Sequence, residues 1–138
     1  MKGYTDLEQS KKLAEFLPLE SADMVLLHEE PYETSDSKFD GLHQALCVPF
    51  IKYDKHWRQK YKNISYFPCW SLAALLSIIP KRIKDFNVLR IDISENEFAI
   101  WYDEIGYGVN AELPDIWMKE PVDACYEMII KLNELNLL

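Results

Sequence analysis

Three features of the sequence predict an α+β fold: an antiparallel β-meander sheet with N-terminal, central and C-terminal helices packed chiefly on one face. A helix-capping pattern opens the chain at residues 5–8. Apolar and polar residues alternate through much of 88–113. Apolar residues then recur about every 3.6 positions across 121–135. The length of 138 residues suits one globular domain, 1–138, able to bury roughly 70% of its unfolded surface.

The first helix is expected over 5–17. Thr5, Asp6, Leu7 and Glu8 read as a capping box, in which the threonine hydroxyl accepts from the N3 amide and Glu8 reaches back to the cap amide. Leu7, Leu13, Ala14 and Leu17 form its apolar stripe, and Pro18 stops it. Met24, Val25, Leu26 and Leu27 suit a strand or extended edge segment. Residues 29–41 are polar and without a period, and read as a loop. Within 42–53 a strand would be confined to an edge by Pro49. Tyr53, Trp57 and Tyr61 fall on one stripe of a helical segment over 53–61.

A central helix begins after Ser71, a good N-cap, with Trp70 and Leu75 placed as a hydrophobic staple. It ends near Ile79, because Pro80 disfavours helical backbone in the residue before it. Leu89, Ile91 and Ile93 then share one strand face, opposite Arg90 and Asp92. Phe98, Ile100 and Tyr102 do the same opposite Ala99 and Trp101. Residues 94–97 make a hairpin turn between the two strands, and 105–108 turn the chain into 109–113. Such short connections make the meander antiparallel. In the last helix Pro121 suits N1, and Val122, Cys125, Tyr126, Met128, Ile129, Leu132 and Leu135 keep the helical period.

With 49% hydrophobic and 28% charged residues, the composition is that of a soluble globular protein. The longest apolar stretch, 72–79, is far short of the ~20 residues of a bilayer span, so no membrane association is expected. No signal peptide is visible, and three widely spaced cysteines, Cys47, Cys69 and Cys125, suit buried thiols in a reducing cytoplasm. The net charge of −8 disfavours phosphate over the surface as a whole. Locally the charge reverses: Glu29, Glu30, Glu33, Asp36 and Asp40 against Lys38, then Lys52, Lys55, Arg58, Lys60 and Lys62 against Asp54.

Two blocks, 68–76 closed by Pro80 (Pro-Cys-Trp-Ser-Leu-Ala-Ala-Leu-Leu) and 121–130 (Pro-Val-Asp-Ala-Cys-Tyr-Glu-Met-Ile-Ile), resemble small uncharacterised proteins from phage and other mobile regions of gut Bacteroidetes genomes. The resemblance implies a shared fold and a mobile-element context. It carries over no activity.

No metal or cofactor is expected. His43 and Cys47 stand at i and i+4, but a zinc site wants a second short-spaced pair, and His28 and His56 are isolated. Cys69, just ahead of the central helix, is the candidate nucleophile, with His56 or His43 as the imidazole. Against that, a thiol between Pro68 and Trp70 suits packing. Asp92, Asp103 and Glu104 could meet across a sheet face as an acid cluster, although solvated strand residues explain them as well. There is no glycine-rich phosphate loop and no Gly-x-Ser-x-Gly.

Residues 50–70 interleave Phe50, Tyr53, Trp57, Tyr61, Tyr66, Phe67 and Trp70 with the basic run. The bland reading packs these aromatics in the core. Otherwise Tyr53, Trp57, Arg58, Tyr61 and Trp70 form a protein-binding patch, or the segment stacks and tracks single-stranded nucleic acid. The expected function is therefore a non-enzymatic binding or accessory protein of a mobile element, engaging a protein partner or itself. A single-stranded nucleic-acid binder and a small enzyme using Cys69 or the acids are the alternatives.

Overall fold

The computed structural model describes residues 1–29, 43–44 and 64–138, and the fold is α+β with antiparallel sheets. The chain forms two compact units, one of residues 6–70 and one of residues 1–5 with 71–138. The structure of the segment 29–41 beyond Glu29, and the helix expected over 53–61, lie outside the described residues.

In the first unit, helix α1 (Leu7–Ala14) starts one residue later than its capping signal suggests. Asp6, not Thr5, is the N-cap: its carboxylate accepts from the Gln9 amide at 2.9 Å, and the Gln9 side chain accepts from the Asp6 amide at 3.2 Å. The reciprocal box forms, with aspartate and glutamine in the roles expected of Thr5 and Glu8. This phase turns Leu13 fully inward and leaves Ala14 exposed. A 3₁₀ turn (Leu19–Ser21) follows Pro18.

The three-stranded sheet has the order β2-β1-β3 and consists of β1 (Met24–Glu29), β2 (His43–Gln44) and β3 (Ile64–Cys69). β1 is thus central rather than an edge. It pairs antiparallel with β3 from Met24↔Cys69 to Glu29↔Ile64. Pro68, with no N–H to give, sits on the strand at the end of that order. α1 packs on β3, with Lys11 Nζ 5.4 Å from the centroid of the Phe67 ring. Trp70 is fully buried, and its indole N–H donates to Ser21 Oγ at 3.0 Å.

The second unit holds α2 (Leu72–Ile78), β4 (Arg82–Ile83), β5 (Asn87–Ile93), β6 (Phe98–Glu104), β7 (Gly108–Val109), β8 (Ile116–Met118) and α3 (Pro121–Glu134). Ser71 caps α2 as expected, its hydroxyl accepting from the Ala74 amide at 3.2 Å. Ile79, before Pro80, is already extended. The Lys81 ammonium then bonds the Leu76 and Ile79 carbonyls, placing a cation where the helix leaves acceptors unpaired.

β6 is the hub of the five-stranded sheet. β5 lies on one side of it; β7 and β8 share the other, β7 along Asp103–Glu104 and β8 along Phe98–Ile100. Register puts Leu89, Ile91, Ile93, Phe98, Ile100, Tyr102 and Ile116 on one face. α3 covers it, packing on β6, β8 and α2 with Val122, Cys125, Met128, Ile129 and Leu132 fully buried. Each large side chain so buried contributes about 1.5–3 kcal/mol. The expected alternation of β5 holds, but its burial does not extend along the strand: Ile91 is 41% and Ile93 75% exposed. β4 reaches only Asn87 and Val88, and among the described residues no strand flanks β5 beyond it.

The ends of α3 are tied to the rest of the unit. Glu120 accepts from the Lys2 amide at 2.9 Å, and Lys2 Nζ pairs with Asp123 at 2.7 Å. At the other end Asn136 turns left-handed (φ 56°), letting the Leu137 amide reach the Leu132 carbonyl at 2.8 Å and closing a Schellman turn.

Three substitutions test this architecture by denaturant unfolding. Leu132→Ala should cost about 2–5 kcal/mol by opening a cavity under α3. Asp6→Ala should cost about 1 kcal/mol, whereas removing the Glu8 carboxylate by Glu8→Gln should leave the helix cap intact.

Candidate interaction surface

Of the side chains singled out for binding, Tyr53, Trp57, Arg58 and Tyr61 lie outside the described residues. Trp70 lies within them and has no exposed surface. Cys69 is likewise fully buried, and both of its proposed imidazoles, His43 and His56, lie outside the described side chains. Cys47 does too. Among the described residues no group of three or more His, Cys, Asp and Glu could hold a metal ion. No described helix is long and apolar enough to cross a membrane.

The proposed acid cluster is not assembled. Asp92 is opposite Ala99 and Asp103 opposite Val88, so four residues of β6, roughly 13 Å of strand, separate them. Glu104, opposite Asn87, belongs to the other face. Asp103 instead serves its neighbours: it accepts from the Trp101 indole at 2.8 Å and pairs with Arg90 Nε at 3.2 Å.

That cluster belongs to the sheet face turned away from α3, which carries Arg90, Asp92, Ala99, Trp101, Asp103 and Trp117. Trp117 lies opposite Ala99 and hence diagonal to Trp101, within reach of an aromatic side chain. The two indoles stack with centroids 6.1 Å apart and planes 9° from parallel. Trp117 donates its own indole N–H to Asp115. Ala99 is buried beside them, and its small side chain leaves room for both rings. Trp117 itself is 55% exposed.

One end of the same sheet gathers more apolar surface. Phe86, Ile105, Tyr107 and Val109 are all exposed, and the Ile105 amide donates to the Phe86 carbonyl at 2.8 Å, bringing the two turns together. Lys84 and Asp85 reach Phe86 through left-handed backbone (φ 51° and 59°), a conformation costing a non-glycine residue about 1 kcal/mol or more. The neighbouring turn uses Gly106 and Gly108 (φ 88° and 82°). Sequence reading marked this turn but not its exposure, because apolar residues in a short meander look like core.

Beside it a cleft of about 210 Å³ is lined by Ile83, Lys84, Asn87, Asn110, Leu113 and Leu135, among others. This is below the roughly 300–1,000 Å³ of ligand pockets. Its amides are spent on each other: Asn87 donates to the Ile83 carbonyl at 3.1 Å, and Asn110 donates to Asn87 Oδ1 at 2.9 Å. The cleft is a structural junction between β4, β5 and the segment after β7.

Two buried acids are held protonated. Burial pushes the Cys125 thiol up to about 12, the Lys81 charge opposing it only in part. Burial also raises the Tyr102 phenol, which donates to the Pro80 carbonyl at 2.7 Å.

No family model, curated protein or solved structure matches the chain.

Because both groups bind their protons more tightly in the folded state, their stabilisation is complete below their ordinary values and is lost as pH rises through the folded ones. Stability should therefore hold to about pH 9, the ordinary value of the thiol, and fall toward pH 12. Thermal melts of Cys125→Ala should show a shallower alkaline decline than the parent chain. An unchanged slope would refute the assignment.

Proposed function

We propose that this is a non-enzymatic binding or accessory protein of a mobile element, acting in the cytoplasm and engaging a protein partner or itself. The observation that carries this reading is the concentration of exposed large apolar side chains on one sheet and its turns: Phe86, Ile91, Ile93, Ile105, Tyr107, Val109 and Trp117. Single exposed apolar residues are ordinary, but Phe86, Ile105, Tyr107 and Val109 gather at one end of the sheet and Trp117 stands on the face turned from α3, and such aromatic members are favoured at protein interfaces. The mobile-element context rests on the resemblance of the 68–80 and 121–130 blocks.

Burial of the Cys69 and Cys125 side chains and the separation of Asp92 from Asp103 favour recognition over covalent chemistry. Partner surfaces rich in Trp and Tyr owe their binding to a few such anchors. An edge at Ile91 and Ile93 offers backbone as well as side chains to a second strand.

Site-specific photo-crosslinking in cells tests the reading. A photoreactive residue at Ile93, Tyr107 or Trp117 should yield discrete protein adducts or a crosslinked dimer, while the same residue at Glu20 should not. Monomeric sedimentation together with no adduct at any of the three positions would end it.

A further inference from the structure

We propose that the sheet face bearing Trp101 and Trp117 docks a basic polypeptide segment, with an arginine or lysine of the partner seated on the Trp117–Asp115 pair. This names the partner chemistry of the surface proposed above and rests on that reading.

The face carries the same device twice. In each case an indole N–H donates to a carboxylate two residues away on the same chain: Trp101 to Asp103, and Trp117 to Asp115. The first device is filled by the protein itself. Arg90, the cross-strand partner of Trp101, sets its guanidinium nitrogen 3.2 Å from the second oxygen of Asp103. The second has no such occupant. Among the described residues no cation lies within ion-pair distance of Asp115, and Trp117 stands half out in solvent.

The Arg90 arrangement shows what an indole–carboxylate unit of this chain accepts. A carboxylate accepting the indole N–H leaves the ring more electron-rich, which strengthens its attraction for a cation over its face. The stack on Trp101 and the bond to Asp115 also fix the Trp117 ring, so little side-chain freedom remains to be lost on binding.

Charge complementarity chooses the occupant. Asp92 and Asp103 share this face with Arg90, which is already engaged, Asp115 and Lys119 flank Trp117 two residues to either side, and the whole chain carries −8. A phosphate backbone is repelled by such a face, whereas a basic segment is drawn to it. Exposed Val109, opposite Asp103, adds apolar surface for the aliphatic stem of a second basic side chain.

The test uses the full chain, ¹⁵N-labelled, titrated with an acetylated hexa-arginine amide at low salt while the indole N–H resonances are followed. The Trp117 resonance should shift saturably. Asp115→Asn and Trp117→Ala should each weaken binding about threefold to tenfold, the range of an exposed cation–π contact with its carboxylate. Glu134→Gln, an equal change in net charge at the far end of α3, should leave the affinity unchanged, and Trp117→Phe should retain part of it. The proposal is overturned if the Trp117 resonance does not move. Equal weakening by Asp115→Asn and Glu134→Gln would overturn it as well, by showing only diffuse attraction. So would a saturable shift with oligo-deoxythymidine but not with the peptide. If crosslinks form in cells while hexa-arginine leaves Trp117 untouched, the binding reading stands and the basic partner does not.

Discussion

The α3-facing side of β6 presents Phe98, Ile100 and Tyr102, and keeping those three from water organises the second unit. A single strand cannot cover itself, so the C-terminal stretch has to be a helix with a stripe wide enough to lie across the sheet. Val122, Cys125, Met128, Ile129 and Leu132 supply that stripe. The ends of the helix must then be held in register with the sheet. Lys2 holds the start through Glu120 and Asp123, and the left-handed turn at Asn136 closes the finish. Tyr102 links packing to chain path: its ring is core, while its hydroxyl accounts for the Pro80 carbonyl at the exit of α2. An apolar replacement there would leave that carbonyl without its donor.

The opposite face of β6 meets the same requirement by other means. Ala99 is buried there. Two tryptophans flank it, and each satisfies its N–H locally, on a carboxylate two residues away. Local satisfaction matters because it frees the rings from pointing their polar edge at water. The result is a flat aromatic surface held from both ends, with acids at its rim. Where α3 removes apolar area from water altogether, this face leaves part of it exposed.

Sequence reading reached the parts whose signals are local. Ser71 capping α2, Pro80 ending it, the turn at 94–97 and Pro121 opening α3 each depend on a few adjacent residues, and each is realised. The first cap slipped by one residue because Thr5 and Asp6 are both good caps; burial of Thr5 and Leu13 decides between them. β4 and β8, two and three residues long, are too short to show a period and exist only through their pairing with β5 and β6. Aromatics and bases are densest in sequence over 50–70, away from both tryptophans of this face. Trp101 and Trp117, sixteen positions apart and separated by a turn and β7, become neighbours only through the register that sets Trp117 against Ala99. No linear spacing carries that information.

The described thiols and the exposed aromatics divide the molecule in a consistent way. Cys125 lies under α3 with its proton held by burial, and a thiol that ionises only near pH 12 offers almost no thiolate at neutral pH. Cys69 has no surface to meet a substrate. Meanwhile Lys84 and Asp85 adopt a strained turn whose immediate consequence is to carry Phe86 into solvent beside Ile105. Asn87, bonded to Ile83 and Asn110, braces the base of that turn. Among the described residues, then, the same packing that withdraws two thiols from solvent leaves Phe86, Ile105 and Tyr107 outside it.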